Sequence, residues 1–345
     1  MMFGGIGMKC LDAFNKNSSG ISDVISIVLI AGFITSTIAG IMLWGIPYME
    51  NQRAHARIES AFYQFSSFDT AIKDCLRQGP GSKRTVGFSI DSGILQMQSD
   101  LTHFIVYYSH FSGFDFNVTD FTGSSFTFIL EDNSGISGQT NFIFYGVSIG
   151  NTSLSDEKTK EISLHSNETI TFDTIVFDEA VRINIKDENN ENDVIGTILF
   201  FNVGSIIYET QSTNDMYRVI LQNGGIIQTS DTYASMKIQP LFYHHNNVLT
   251  MRIIHLQSQQ QSSNAIASYR FSFEFLQNYL VENKIDIQNT LKLYIQGDFS
   301  QHWKTFFIEH HDFTAFETQP DILYFSTHNF TLSYSIFNTL WEVKN

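Results

Sequence analysis

From Val24 to Ile46 the chain carries no charged residue, an apolar run of 23 positions that follows the short polar stretch Ser18-Ser19-Gly20-Ile21-Ser22-Asp23. A helix of that length extends about 34 Å, enough to cross the hydrocarbon core of a bilayer, where only a helix satisfies its own backbone. Pro47 is expected to kink or interrupt it. Residues 51 to 77 then predict a second, amphipathic helix, because Ile58, Phe65 and Ile72 recur at seven with Ala61, Phe68 and Cys75 between them. That seam is expected to lie on the protein's own β-domain, with coiled-coil contact between subunits as the alternative. Gln78-Gly79-Pro80-Gly81-Ser82 ends the helix.

Beyond Thr85 the apolar period changes to two. Val181 to Lys186, Tyr269 to Phe275 and Phe330 to Ile336 alternate strictly, as half-buried strands do. Asn223-Gly224, between Tyr217–Leu221 and Ile226-Ile227, predicts a two-residue hairpin turn. Only Leu276 to Asn283 and Gln301 to Glu309 read as short helices. The expected fold is therefore α+β: a long N-terminal hydrophobic and amphipathic helix followed by an antiparallel β-sandwich. Its expected segments are 1–20, 21–78 and a β-rich 79–345, with a shift in composition near 200 that suggests a subdivision.

Charge sharpens this division. The net charge is −15, yet residues 1 to 78 hold six Lys/Arg and six Asp/Glu, so the whole excess belongs to the β-rich part. An acidic body without basic clusters argues against nucleic acid, whose phosphates require Lys and Arg. Lys9 and Lys16 precede the apolar run, which by the positive-inside rule keeps that end cytoplasmic and places the β-domain outside. Cys10 and Cys75 flank the run, so no intrachain disulfide framework is expected.

The apolar run is longer than a secretory signal core and is followed by Trp44, Pro47 and Tyr48 instead of a small-x-small cleavage site. The small residue precedes it, at Gly20. A short Lys-bearing leader, a Gly and then the hydrophobic helix resembles the class III signal peptides of archaeal type IV pilins and archaellins, and Gly20-Ile21-Ser22-Asp23-Val24-Ile25 is similar to the entry tract of many archaeal pilins. Ser19 stands where the family has Lys or Arg, and Lys16 lies four residues before Gly20. The tracts Arg57–Phe62, Lys83–Val86, Tyr217–Ile227, Leu249–Ile254 and Trp303–Phe307 resemble, in outline, an uncharacterised family of pilin-like surface proteins. The resemblance implies cleavage by a prepilin peptidase between Gly20 and Ile21, handling by pilus assembly machinery, and self-association through the N-terminal helix. It implies a cell-surface filament subunit whose β-domain serves adhesion or surface interaction. The alternative is a membrane-anchored monomeric binding protein that never polymerises.

Individual residues fill in this picture. Ser22 or Asp23 beside a helix start suits an N-cap, and Asp23 could also pair with the new α-amino group of Ile21 or a neighbouring subunit's. Gly32, Ser36 and Gly40 recur every four residues, giving a smooth face for close helix approach. Asn117, Asn151, Asn167 and Asn329 each begin an external N-glycosylation sequon. The pairs His244-His245 and His310-His311 lack metal-ligand spacing, and the acidic run Asp187 to Asp193 lacks the turn Gly and bidentate Glu of a calcium loop. No nucleophile elbow, phosphate loop or nucleotide fingerprint occurs, so neither cofactor, metal nor enzymatic activity is expected.

Overall fold

The computed structural model describes residues 8–111, 113–131, 140–177, 180–188, 190–212, 215–231, 233–245, 248–257, 262–263, 267–285, 291–311, 313–315, 321–325 and 329–343. Side chains of 8–22, 99–100, 190–192, 262–263, 284–285, 329 and 343 also lie outside the description. The chain divides into two units, residues 1–56 with 212–214, and residues 57–211 with 215–345.

In the first unit helix α1 runs Met8–Gly40. A π-type turn, Ile41–Gly45, follows, in which the Ile46 N–H bonds to the Ile41 carbonyl five residues back. Helix α2 then begins and spans Ile46–Gln78. Pro47 accounts for the change of pitch, because its ring crowds the carbonyl four residues earlier and it offers no N–H; the wider turn accommodates this without ending the helix.

In the second unit α2, from Arg57, covers one face of a five-stranded sheet. Its strand order is Lys83–Ile90, Ala267–Ile285, Asn329–Val343, Val248–Gln257 and Phe242–His245. All neighbours are antiparallel except Val248–Gln257 with Asn329–Val343. The seam lies as the heptad spacing predicts: Ile58, Ala61, Phe65, Phe68, Ile72 and Cys75 are all buried. Phe68 sits 4.7 Å from Phe271, 5.3 Å from Phe273 and 5.5 Å from Phe88, ring centre to ring centre. Gly79, at φ 92°, closes the helix by donating its N–H to the Cys75 carbonyl.

The other face of this sheet packs on a twelve-stranded sheet built around the long strands Ile94–Ser109 and Asn190–Gln211. The core between them contains Phe104, Val106, Leu199, Phe201, Leu249, Met251, Leu332 and Tyr334, with Trp303 and Phe307 from helix α3, Ser300–His310. The opposite face of the large sheet meets a three-stranded sheet, Phe116–Thr122, Ser125–Leu130 and Asn167–Thr171, over a core rich in phenylalanine. Alternation along single strands feeds both cores: Phe104 and Val106 point one way, Ile105 and Tyr107 the other. The domain is thus a mostly antiparallel stack of three sheets with a helix on its outer face, one layer more than a simple sandwich.

Three expectations are corrected here. Leu276 to Asn283 is not a helix but part of the strand Ala267–Ile285. Bulges between Phe275 and Gln277 and between Leu280 and Glu282 insert extra residues opposite Asn329–Val343, so the apolar positions slip out of period two. Across the first bulge the odd positions change face, from Phe271 and Phe273 against α2 to Tyr279 against the inter-sheet core. The shift near residue 200 is not a boundary, since Asn190–Gln211 continues through it and supplies Ile198 and Phe200 to one core and Leu199 and Phe201 to the other. Finally, residues 57–78 group with the β-domain rather than with the apolar helix.

The remaining patterns are observed as read. Asn223 and Gly224 join Met216–Gln222 to Gly225–Thr229 with φ of 49° and 70°, the left-handed pair that a type I′ turn requires. Helix α3 covers the predicted 301–309.

Candidate functional site

Hydrophobic side chains behave differently in the two units. In the β-domain most of the large ones among the described residues are buried, whereas Val24, Ile25, Ile27, Val28, Leu29, Ile30, Phe33 and Ile34 are all more than half exposed. Soluble surfaces rarely present contiguous apolar area on that scale. The helical stretch from Asp23 onward is long and apolar enough to cross a membrane. At its far end Leu43 and Trp44 are 80% and 78% exposed, and the Trp44 and Tyr48 rings stack at 6.2 Å. Amphipathic aromatic rings concentrate at the level of lipid headgroups, and Glu50 and Arg53 follow within two turns.

Gly32, Ser36 and Gly40 lie on α1, all exposed, and a methyl group added at either glycine would meet nothing within 4 Å. Thr35 and Thr37 return their hydroxyls to the carbonyls of Ala31 and Phe33, each at 2.8 Å, so they present methyl groups rather than unsatisfied donors. Asp23 is exposed in the helix interior instead of at its start, because α1 already runs from Met8; the N-cap reading of Ser22 and Asp23 therefore does not apply while the residues before Ile21 are in place. Gly20 and Ile21 belong to the same helix.

The sequon asparagines separate into distinct environments. Asn151 and Asn167 are exposed at the starts of the strands Asn151–Ile162 and Asn167–Thr171. The side chain of Asn329 lies outside the described residues. Asn117 is a correction: it is 1% exposed, and its amide is committed to a polar cluster between the three-stranded and twelve-stranded sheets. Its Oδ1 accepts from Lys292 Nζ at 2.8 Å and from the Tyr107 hydroxyl at 3.3 Å, and its Nδ2 donates to Glu131 Oε1 at 2.6 Å. Lys292 Nζ also donates to Asp115 Oδ1 at 2.5 Å and to the Phe116 carbonyl at 2.9 Å. Burial pushes the Lys292 ammonium below its ordinary pKa, with Asp115 opposing, and drives the Tyr107 phenol well above its own. A folded chain therefore offers no free amide at Asn117 for a glycan.

Sequence reading missed this cluster because its members come from positions 107, 115, 117, 131 and 292, far apart in the chain. The available signal was one cation, Lys292, inside the otherwise apolar strand Leu291-Lys292-Leu293-Tyr294-Ile295. A second buried charge, Glu282, is held by Arg182 at 3.1 Å and by the Tyr108 hydroxyl at 2.5 Å.

His244 and His245 occupy the strand Phe242–His245, and His244 packs edge-on against Phe325. His310 ends α3 and His311 caps it, the His311 ring edge-on to Phe306 and tilted against Phe307. Among the described residues no group of three or more His, Cys, Asp or Glu could hold a metal ion. In the acidic run 187–193, Asp187 at the end of one strand pairs with Asn190 at the start of the next, and residue 189 lies outside the described residues.

Comparison of the chain with protein-family models, curated proteins and solved structures returned no match.

Proposed function

We propose that this chain is a type IV pilin-like subunit of an archaeal cell-surface filament, inserted in the membrane by its N-terminal helix and processed by a prepilin peptidase between Gly20 and Ile21. The observation that carries the reading is the contrast between a β-domain that buries its large apolar side chains and a charge-free helix that exposes its own, with Gly32, Ser36 and Gly40 along one side. Lipid tails are as apolar as leucine, so helices associate there through close packing at small residues rather than through the hydrophobic effect. The same surface serves a helix held first by lipid and then by copies of itself in a filament core. The acidic β-domain then faces outward for adhesion or surface interaction.

Mass spectrometry of the mature N-terminus tests the processing step. A chain beginning at Ile21 is expected, and a cellular protein that retains Met1 to Gly20 rejects it. Gly32→Leu with Gly40→Leu should abolish filaments in sheared surface fractions while leaving β-domain unfolding unchanged.

One observation favours a second reading, a permanently anchored monomer that binds a ligand or envelope partner. The seam of α2 from Ile58 to Cys75 is occupied by the protein's own sheet, which leaves that stretch without an apolar face for neighbouring subunits. Membrane fractionation after shearing distinguishes the two, because an anchored monomer stays with the membrane.

A further inference from the structure

The cluster around Lys292 has the composition of a reactive centre as well as that of a structural bridge. A primary amine lies at hydrogen-bonding distance from the oxygen of a carboxamide, both are buried, and one carboxyl group contacts the amine and another the amide nitrogen. The geometry points to an intramolecular amide bond between Lys292 and Asn117, formed autocatalytically in the folded chain, that covalently joins the three-stranded sheet to the twelve-stranded sheet.

The orientation of the amide is set by its neighbours. Two donors, Lys292 Nζ and the Tyr107 hydroxyl, face Oδ1, and a carboxylate oxygen of Glu131 faces Nδ2, so exchange of the amide ends would set donor against donor. The nucleophile must be the neutral amine. Burial of Lys292 favours that form, and its ammonium reaches it by giving one proton to Asp115 at 2.5 Å. As the Nζ lone pair attacks Cγ, charge develops on Oδ1, where the Tyr107 hydroxyl already points. The second Nζ proton is passed by the Glu131 carboxylate, which accepts from Nδ2, to that leaving nitrogen. The Nζ–Cγ bond forms and the Cγ–Nδ2 bond breaks, its electron pair leaving with ammonia. The ammonia takes up the proton held by Asp115 and departs as ammonium, so both carboxylates end as they began. No external reagent is needed, because proximity of two buried reacting groups replaces activation.

The strand positions suit a clamp. Asn117 lies in Phe116–Thr122 and Lys292 in Leu291–Gly297, 175 residues apart, on layers that otherwise meet through side-chain packing, chain connections and the Lys160–Glu168 ion pair. A surface protein under shear would be held closed across that core. The inference stands whether or not the chain polymerises.

The full-length chain, extracted in detergent, denatured, digested and analysed by tandem mass spectrometry, provides the test. The expected product is a branched peptide containing Lys292 and Asn117, lighter than the two linear peptides together by one ammonia. Linear peptides bearing unmodified Lys292 and Asn117 from the folded protein would overturn the inference. On a denaturing gel, wild type closed by the bond should migrate faster than Lys292→Met, a comparison that does not require the variant to fold; equal mobility counts against the bond. Glu131→Gln, nearly the same shape, should leave the chain linear. A branched peptide in that variant would remove Glu131 from the chemistry.

Discussion

Phe68→Ala probes the contact on which the arrangement of α2 and the β-domain rests. Phe68 is fully buried and touches Phe65, Phe88, Phe271 and Phe273, with ring centres 4.7 to 5.5 Å apart. Truncation removes a buried ring and leaves a cavity whose walls come from two strands and a helix that cannot all collapse onto it, which costs about 4 kcal/mol. With a urea dependence of about 3 kcal/mol per molar for a large domain, the midpoint should fall by about 1.3 M. Tyr63, on the same helix but 63% exposed, is the control: Tyr63→Ala should stay within about 0.5 kcal/mol of wild type. A double-mutant cycle with Phe68→Leu and Phe271→Leu should return a coupling of about 1 kcal/mol, the worth of an aromatic pair beyond its buried area. Equilibrium unfolding in detergent, followed by tryptophan fluorescence at several protein concentrations, measures all three. An inter-subunit seam would make the loss depend on concentration. A Phe68→Ala shift below about 1 kcal/mol, with no coupling to Phe271, would refute the packing of this seam on its own sheet.

Further outcomes follow from the same structure. Gly204→Ala would place a methyl carbon 2.1 Å from the Leu256 carbonyl oxygen, where the two large sheets approach backbone to backbone, and should cost at least about 2 kcal/mol in thermal unfolding. Asp69 is buried with its Oδ1 unpaired, and burial raises its pKa against the opposing effect of Lys73 at 2.7 Å. Since the folded state holds that proton more tightly than the unfolded one, this group favours folding below its unfolded pKa of 3.8, and the benefit is lost as pH rises through the higher folded value. Asp69→Asn should therefore raise the unfolding midpoint at neutral pH relative to wild type and narrow the difference in acid. Glycopeptide mapping should find no glycan on Asn117 in the folded protein; a glycan there would show that its polar cluster does not form.

Much of the architecture was legible because burial imposes periodicity. The change from a 3.6 to a 2 period near residue 80, the seam from Ile58 to Cys75 and the turn at Asn223-Gly224 each answer a local requirement that a short window of sequence displays. Sheet order was not legible, because Lys83–Ile90 finds its partner at Ala267–Glu274 and the parallel pair joins residues near 250 to residues near 330. Such pairings are chosen by the global packing, which no window contains. The bulge after Phe275 shows the same limit in miniature, since one extra residue makes a strand imitate a helix. Asn117 was misread for a related reason: a sequon is a three-residue pattern, whereas its burial depends on Lys292 and Glu131.

The N-terminal helix poses a question that its sequence alone leaves as membrane or not. An apolar surface of this length cannot remain in water, so outside a bilayer it must be covered by something equally apolar. The covering can be other copies, provided the backbones approach closely enough for dispersion to replace the lipid contacts, and Gly32 and Gly40 leave that approach open. Transfer from lipid to a bundle then changes packing partners while keeping polarity constant, so the free-energy difference between the two homes is set by shape rather than by hydrophobicity. A bulky residue at Gly32 or Gly40 should leave membrane insertion intact and tip that balance toward the bilayer. Sequence turns polar after Met49, directly beyond the π-type turn and Pro47, so the apolar surface that needs covering ends there.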